Sequence, residues 1–270
     1  MRLKPRPFSK PQLSHPLARG LGGYWLHNEG SGLITNDLSG NGQYGIITGA
    51  TRDGRGLVFD GTEDFVDLGT SPLAGLFSMS IEMVFTPAVD DTIFLILNDG
   101  TSSLLASHWV AIETNVVKFL INNGIPDNAN GGTTIVPGTT YHFIGTWLAG
   151  EYPEIYINGV LDTASDTGAS PQTDPLQAGD TNLVFGGRPA NTNDPVTNVV
   201  FDYNGSISYV KYYNRVLSAT EILQLYRNPY ILFDRSHLPL WQSGGVAPTT
   251  NPKGPFTHPL WGPFSGPLVA

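Results

Sequence analysis

The stretch "MSIEMVF", residues Met79–Phe85, decides the fold class, because apolar side chains occupy every second position in it. In an extended chain successive side chains point to opposite faces, so Met79, Ile81, Met83 and Phe85 share one face. A helix would need apolar residues three or four positions apart. The stretch therefore predicts a β-strand with one face packed on a hydrophobic core.

Further strand-like runs follow on both sides of this stretch, with turn signals between them. The runs are "TIFLILN" at 92–98, "HWVAIETN" at 108–115, "VVKFLINN" at 116–123, "YHFIGTWL" at 141–148, "EIYINGVL" at 154–161 and "NLVFGG" at 182–187. Eight Asn-Gly or Asp-Gly pairs begin at Asn41, Asp53, Asp60, Asp99, Asn123, Asn130, Asn158 and Asn204. Such pairs favour the tight turns of antiparallel hairpins. The pattern predicts roughly a dozen strands, the more continuously apolar ones being covered on both faces.

One segment, "SATEILQLYRNP" at 218–229, has the signals of a helix. Ser218 and Glu221 have the spacing of a capping box, and apolar residues recur behind them at helical intervals. Pro229 predicts that the helix ends at about Asn228. Many strands followed by one short helix indicate an all-β fold, an antiparallel two-sheet sandwich with a helix closing one edge.

Composition excludes several classes of protein. The chain has 270 residues and no cysteine, so a disulfide framework, a thiolate metal site and a cysteine nucleophile are excluded. No stretch approaches the roughly 20 apolar residues of a membrane span, and the N-terminal residues lack a secretory signal pattern. We expect a chain that is made in a cytoplasm and is not secreted.

The first 20 residues form a basic, proline-containing arm. They hold five of the 14 basic side chains and no acid, which leaves nine basic against 23 acidic side chains in the body. A basic arm on an acidic body predicts docking on something acidic, either a neighbouring subunit, another protein or nucleic acid; a solvated tail is the alternative. The body has no basic patch interleaved with aromatics, so we expect it to read no nucleic acid.

A second arm follows the sandwich, which we place at residues 21–231. Residues 232–270 are rich in proline and aromatic residues, and residues 238–270 contain seven prolines and a single charge, Lys253. Apolar segments stiffened by proline gain stability only by burial, which predicts docking in an assembly. The predicted assembly contacts are Arg2, Lys4, Arg6, Lys10, Trp241, Phe256, Leu260, Trp261 and Phe264.

The order of motifs between residues 21 and 227 resembles the concanavalin A-like lectin/glucanase superfamily, and within it the laminin-G-like, pentraxin-like branch. The motifs are "GYWLHNEGSG", "NDLSGNGQYGIITGA", "GRGLVFDGTEDFVDLG", "EIYINGV" and "ISYVKYYNRVLSATEILQLY". The resemblance implies a jelly-roll sandwich of two antiparallel sheets. It does not imply one function, because the superfamily includes sugar binders, adhesion modules, glycosidases and structural proteins.

The two arms around such a core are similar to those of virion-associated proteins of tailed bacteriophages. This resemblance implies a virion location, with copies of the chain and other capsid proteins as partners. It leaves head decoration and a tail component both open.

The superfamily resemblance also implies a structural calcium ion. The matching loop is "NDLSGNG", and the ligands would be Asp37 and Asn41, with Asp60 or Asp64 nearby. In the family an acidic pair often opens the closing strand. This chain has Ser208 and Tyr209 at the matching positions, so it departs from the family there. Asx-type turns are the alternative explanation of the loop.

Catalytic signals are absent from the sequence. The glucanase relatives need two facing carboxylates, whereas the strand at 79–85 offers Glu82 alone, and the six histidines lack metal-ligand spacing. We expect no enzymatic activity.

Sugar binding has weaker signals. Trp25, Trp109, Tyr141, Trp147 and Tyr156 lie on predicted strands, where an aromatic side chain belongs either to the core or to a stacking platform. Two loops rich in asparagine, at 124–132 and 188–195, offer Asn128, Asn130, Asn191 and Asn193 as glycan ligands. Solvated loops are the alternative.

These observations predict a non-enzymatic structural virion protein, a capsid decoration protein anchored by its arms, whose lectin-like domain faces outward and contacts glycans. The alternatives are a freestanding carbohydrate-binding module or lectin, a phage tail or receptor-binding component, and a glycosidase.

Overall fold

The computed structural model describes residues 4–90, 93–99, 107–122, 126–166, 168, 171–177, 182–190 and 199–234. Within these ranges the strands are β1 Leu21–Trp25, β2 Ile34–Thr35, β3 Gly45–Thr48, β4 Thr51–Arg52, β5 Leu57–Asp60, β6 Phe65–Thr70, β7 Ser78–Pro87, β8 Ile93–Asn98, β9 Ser107–Glu113, β10 Val116–Asn122, β11 Pro126–Gly131, β12 Tyr141–Leu148, β13 Glu154–Ile157, β14 Val160–Leu161, β15 Thr163–Asp166, β16 Asn182–Phe185, β17 Arg188–Pro189, β18 Val199–Val200 and β19 Asn204–Tyr213. The helix α1 spans Ala219–Arg227, and 3₁₀ turns lie at Pro16–Ala18 and Ile231–Phe233.

Two large antiparallel sheets form a sandwich, as the sequence predicts. Sheet A has the spatial order β14-β13-β12-β7-β19-β5-β4, with β1 also paired to β19. Sheet B has the order β15-β11-β10-β9-β8-β16-β6-β3-β2. Strands β17 and β18 form a separate two-stranded ribbon. The fold class is therefore confirmed as an all-β two-sheet sandwich with one short helix near the end of the described chain.

Strand β7 lies at the centre of sheet A, between β12 and β19. The predicted apolar face of β7 is confirmed, since Met79, Ile81, Met83 and Phe85 all belong to the core between the sheets. The opposite face of β7 is buried as well. Val84 on that face belongs to a second core that covers the outer side of sheet A.

The second core holds helix α1 and the N-terminal segment against sheet A. Its members include Leu17 and Leu21 from the N-terminal part, Tyr209 and Tyr213 from β19, and Ile222, Leu225 and Leu232 from the C-terminal part. The Gln12 amide donates to the Leu232 carbonyl at 2.6 Å. The outer face of sheet A is therefore covered over much of its area, whereas the outer face of sheet B has no such layer of helix among the described residues.

Helix α1 begins as the sequence predicts. The Ser218 amide donates to Glu221 Oε2 at 2.8 Å, and the Glu221 amide donates back to Ser218 Oγ at 3.4 Å. This reciprocal pair is the predicted capping box, and Asn228 caps the other end.

Two predicted turns are wrong. Asn130-Gly131 lies within β11, together with most of the predicted loop 124–132, and Asn204-Gly205 opens β19. At Gly205 a Cβ atom would lie only 2.4 Å from the Thr86 carbonyl oxygen. The glycine is required there by close packing of neighbouring strands. By contrast, Asn158-Gly159 forms the predicted turn between β13 and β14, with φ of 53° and 77°.

Candidate functional site

A recess opens on the outer face of sheet B, where β3, β6 and β16 lie side by side. On β6 Val66 and Leu68 point into the core, so Asp67 between them points outward. Asp67 is paired with Ile46 on β3 and with Val184 on β16. The recess has a volume of about 260 Å³.

The floor of the sheet B recess is a buried polar pair. The Asn182 Nδ2 group donates to both carboxylate oxygens of Asp67, at 3.0 and 3.2 Å. The Gly69 amide donates to Asp67 Oδ1 at 2.9 Å. Asp67 and Asn182 are 6% and 5% exposed. Because an ionised carboxylate only accepts hydrogen bonds, these contacts fix the carboxylate as an acceptor that faces the recess.

Gln43 adds an acceptor beside this pair. Its side-chain Nε2 donates to the Thr70 carbonyl at 3.2 Å, and its backbone carbonyl accepts from the indole of Trp25 at 2.6 Å. Its Oε1 atom is buried and has no hydrogen-bond partner. A buried acceptor without a donor is costly, and a ligand hydroxyl would satisfy it.

The rim of the recess is apolar and exposed. Tyr44 is 58% exposed and Ile46 is 46% exposed, and both line the recess. An exposed aromatic ring beside a carboxylate and an amide matches a sugar, which has an apolar carbon face and a ring of hydroxyl groups.

The predicted glycan ligands Asn128 and Asn130 lie on the same outer face of sheet B, farther along the sheet. Asn128 pairs with Leu120, which pairs with Trp109, so the three form one row across β11, β10 and β9. Asn130 donates from Nδ2 to the Ser165 carbonyl at 3.2 Å. The predicted ligands Asn191 and Asn193 lie outside the described residues.

The aromatic candidates divide between core and surface. Trp25, Tyr141 and Trp147 are at most 5% exposed and belong to the core between the sheets. Trp109 and Tyr156 are half-buried. Of the five, Trp109 is the one that the strand pairing places in the same row as Asn128, with Leu120 between them.

Sequence reasoning missed Tyr44, Asp67 and Asn182. Asp67 interrupts the apolar run "FVDLG", which is a signal for an outward side chain. Asn182 is 115 positions away from Asp67, and nothing in the sequence indicates that the two side chains meet.

The four predicted calcium ligands lie in two hydrogen-bonded loops. The Asp37 carboxylate accepts from the amides of Tyr24, Ser39 and Gln43 and from the Ser39 hydroxyl. Asn41 Nδ2 donates to the Gly22 carbonyl at 2.8 Å. These contacts are those of an Asx-type turn, and they use the lone pairs that calcium would need.

The second loop brings Asp60 and Asp64 together, since the Asp60 amide donates to Asp64 Oδ2 at 2.8 Å. Burial raises the pKa of Asp64, and the neighbouring charge of Asp60 adds to this effect. Among the described residues, no group of three or more His, Asp or Glu side chains is arranged to hold a metal ion. The calcium site stays a prediction.

Of the predicted N-terminal assembly residues that the structure describes, Lys4 lies against its own chain. Lys4 Nζ donates to the carbonyls of His27, Arg55 and Ser208, at 3.2, 2.8 and 2.8 Å. Burial lowers the pKa of Lys4 to about 8, although Glu29 and Asp53 oppose this.

Arg6 and Lys10 are exposed. Contacts of either residue with a second molecule stay a prediction. The remaining predicted contacts, which are Arg2, Trp241, Phe256, Leu260, Trp261 and Phe264, lie outside the described residues.

Glu82 lies in a fully buried charged cluster on the outer side of sheet A. Lys211 Nζ donates to both of its carboxylate oxygens at 3.0 Å, and the Tyr209 hydroxyl donates to Oε1 at 2.7 Å. His142 Nε2 lies 3.1 Å from the same oxygen. Burial alone would raise the pKa of Glu82, but Lys211 and His142 outweigh it and hold the pKa at about 2. Glu82 is therefore an ionised member of a salt bridge.

A second buried cluster joins Ser71, Asp99 and His108. His108 Nδ1 lies 3.0 Å from Asp99 Oδ2, and the Ser71 hydroxyl donates to the same oxygen at 2.9 Å. The carboxylate therefore stands between the serine and the histidine. In a nucleophilic triad the histidine contacts the serine, so this arrangement does not activate Ser71.

No helix among the described residues is long and apolar enough to cross a membrane.

Comparison with solved structures finds the same fold in proteins of low sequence identity. A Trypanosoma rangeli sialidase in complex with sialic acid superposes with a TM-score of 0.59 at 15% identity, over 79% of this chain and 33% of the sialidase. Domain 4 of AbnA, a GH43 extracellular arabinanase from Geobacillus stearothermophilus, in complex with arabinotriose, gives 0.57 at 15%, over 76% of this chain and 98% of that domain.

The binding domain of Paraclostridial Mosquitocidal Protein 1 gives a TM-score of 0.57 at 14% identity, over 78% of this chain and 52% of that one. The chain thus spans about a third of the length of the sialidase it matches. No curated protein matches the sequence.

A family model matches residues 60–223, which is more than half of the chain. The matched range runs from the end of β5 into helix α1 and includes the Asp67–Asn182 pair. The chain belongs to the Laminin_G_3 family of the concanavalin A-like lectin/glucanases superfamily.

Proposed function

We propose that the chain is a non-enzymatic carbohydrate-binding domain and that a saccharide binds in the recess on the outer face of sheet B. The observation that carries this proposal is the buried Asp67–Asn182 pair beneath the exposed ring of Tyr44. The carboxylate accepts hydrogen bonds from sugar hydroxyls, and the tyrosine ring packs on the carbon face of the sugar.

Trp109, Asn128 and Asn130 lie on the same face of sheet B, farther from the recess. Strands β8 and β9 follow β16 in sheet B, and neighbouring strands lie about 4.8 Å apart. Trp109 on β9 is therefore about 10 Å from β16, measured across the sheet. Val184 and Asn98, which lie between the recess and Trp109 on this face, are buried, so contacts of Trp109, Asn128 and Asn130 with a glycan stay a prediction.

Two of the similar structures are complexes with sugars, sialic acid in one and arabinotriose in the other. Their low identity shows a shared fold only. They are compatible with a saccharide ligand for this chain and do not indicate which one.

The test is a glycan array with the full chain, followed by calorimetry with the best saccharide. We expect Tyr44→Ala to weaken binding by about tenfold, and Asp67→Asn to weaken it further. Tyr152→Ala is the matched control, because Tyr152 is an exposed tyrosine in the turn between β12 and β13. Equal binding by the Tyr44 variant and the control would refute the proposal, as would an array without any bound glycan.

The sequence supports a second proposal, that the domain is a structural component of a tailed-phage virion. Its support is the apolar, proline-rich composition of residues 232–270 and the basic composition of residues 1–20. On this proposal the partners are copies of the chain and other capsid proteins, and a tail or receptor-binding location is the alternative.

Light scattering of the full chain tests this second proposal. We expect a multimer that dissociates when Trp241, Trp261 and Phe264 are replaced by serine. A monomer in both cases would favour a freestanding lectin.

A further inference from the structure

A second recess lies on the outer side of sheet A, next to the C-terminal end of helix α1. Its volume is ≈ 420 Å³. It is lined by Val84, His142, Asn158, Tyr226, Arg227 and Pro229, among others. This recess and the Tyr44 recess lie on opposite faces of the sandwich, because each is on the outer side of a different sheet.

The buried polar group of this recess is His142, which is 5% exposed. Its Nε2 atom lies 3.1 Å from Oε1 of Glu82, whose carboxylate is ionised and only accepts hydrogen bonds. The Nε2 atom therefore carries a proton and donates it to Glu82. The Nδ1 atom is buried and has no hydrogen-bond partner.

The groups around His142 are held in place. The His142 amide donates to Asn158 Oδ1 at 3.0 Å, and the Asn158 amide donates to the His142 carbonyl at 2.8 Å. At Gly159 a Cβ atom would lie 2.9 Å from the ring of Tyr226, so this turn packs closely on the helix. The His142 and Tyr226 rings are 5.7 Å apart.

We propose that this recess is a ligand site for a small hydroxyl-bearing molecule, such as a monosaccharide or another polyol. A ligand hydroxyl, which can both donate and accept, forms a hydrogen bond with His142 Nδ1 and so satisfies this buried ring nitrogen. The Tyr226 ring, which is 40% exposed, packs on the carbon face of the ligand. The Arg227 guanidinium and the side-chain Nδ2 group of Asn158 donate to further oxygens of the ligand.

The site is independent of the Tyr44 recess, so the two proposals can fail separately. The probe is D-glucose at tens of millimolar, added to the full chain with its histidine nitrogens observed by NMR. Acetate is the comparison probe, because it offers an anion without hydroxyl groups.

We expect glucose to move the His142 Nδ1 resonance and the amide resonances of Asn158 and Arg227. Tyr226→Ala should weaken this response by about tenfold, whereas Tyr44→Ala should leave it unchanged. Arg227→Gln should also weaken it, with Arg55→Gln as a control at an exposed arginine.

Three results would overturn the inference. They are an Nδ1 resonance that glucose does not move, an equal response to acetate, and an unchanged response in the Tyr226 variant. If glucose gives the expected response at His142 and no saccharide binds in the Tyr44 recess, the proposed function is refuted and this inference stands.

Discussion

At the scale of single residues, the buried pair Glu82–Lys211 shows how this sandwich tolerates charge in its interior. Both side chains are fully buried, and each compensates the other. The Lys211 ammonium also lies over the rings of Tyr24 and Tyr209, at 4.9 and 4.6 Å from their centroids. Burial lowers the pKa of Lys211, and the charge of Glu82 opposes that effect.

Removing one member of this pair should be costly. We expect Glu82→Gln to lower the free energy of unfolding by about 3 to 5 kcal/mol, because it leaves Lys211 buried without a counter-charge. The double variant Glu82→Met with Lys211→Met should recover much of this loss. Urea unfolding measures both, and a single variant as stable as the wild type would contradict the account.

Asp127 provides a pH-dependent prediction. It is fully buried on β11, and burial together with the charge of Asp166 raises its pKa from 3.8 to about 6. The folded state therefore holds the proton more tightly than the unfolded state, so stability falls as the pH rises from about 4 to about 6.

We expect Asp127→Asn to stabilise the fold above pH 6 by about 2 kcal/mol, since a tenfold change in acid dissociation corresponds to about 1.4 kcal/mol. Below pH 4 the variant and the wild type should be equally stable. Thermal unfolding across this pH range is the measurement, and a stability difference independent of pH would show that the raised pKa is not its cause.

At the scale of elements, helix α1 depends on its N-terminal cap. Glu221 also accepts from Arg215, at 2.9 and 2.7 Å, and these hydrogen bonds hold the pKa of Glu221 at about 2. The cap therefore joins the helix to the segment that follows β19.

We expect Ser218→Ala to lower the free energy of unfolding by about 1 kcal/mol, because the Glu221 amide loses its acceptor. Thr220→Ala is the matched control in the exposed first turn, where alanine should be neutral or slightly stabilising. Equal effects of the two substitutions in urea unfolding would mean that the cap contributes nothing.

The sequence predicts elements well where the signal is local. The alternation in β7 and the capping box of α1 each lie within a few residues. The turns at Asn130 and Asn204 are predicted wrongly because an Asn-Gly pair indicates only that the backbone can adopt a tight turn. At Gly205 the glycine is required instead because neighbouring strands pack closely, and the sequence looks the same in both cases.

At the scale of the whole molecule, the sandwich is predictable and the binding face is not. Alternation, turns and motif order together indicate two sheets. The Tyr44 recess combines side chains from β6, β16 and the segment before β3, and their meeting depends on the strand order of sheet B. Only the folded chain shows that Asp67 and Asn182 are in contact.

The most direct test of the central claim is a map of amide chemical shifts in the full chain, titrated with the tightest saccharide from the array. The account predicts that the amides of Tyr44, Ile46, Gly69 and Asn182 shift together and saturate at one concentration. Shifts confined to the outer face of sheet A, or no saturable shift near Tyr44, would contradict it.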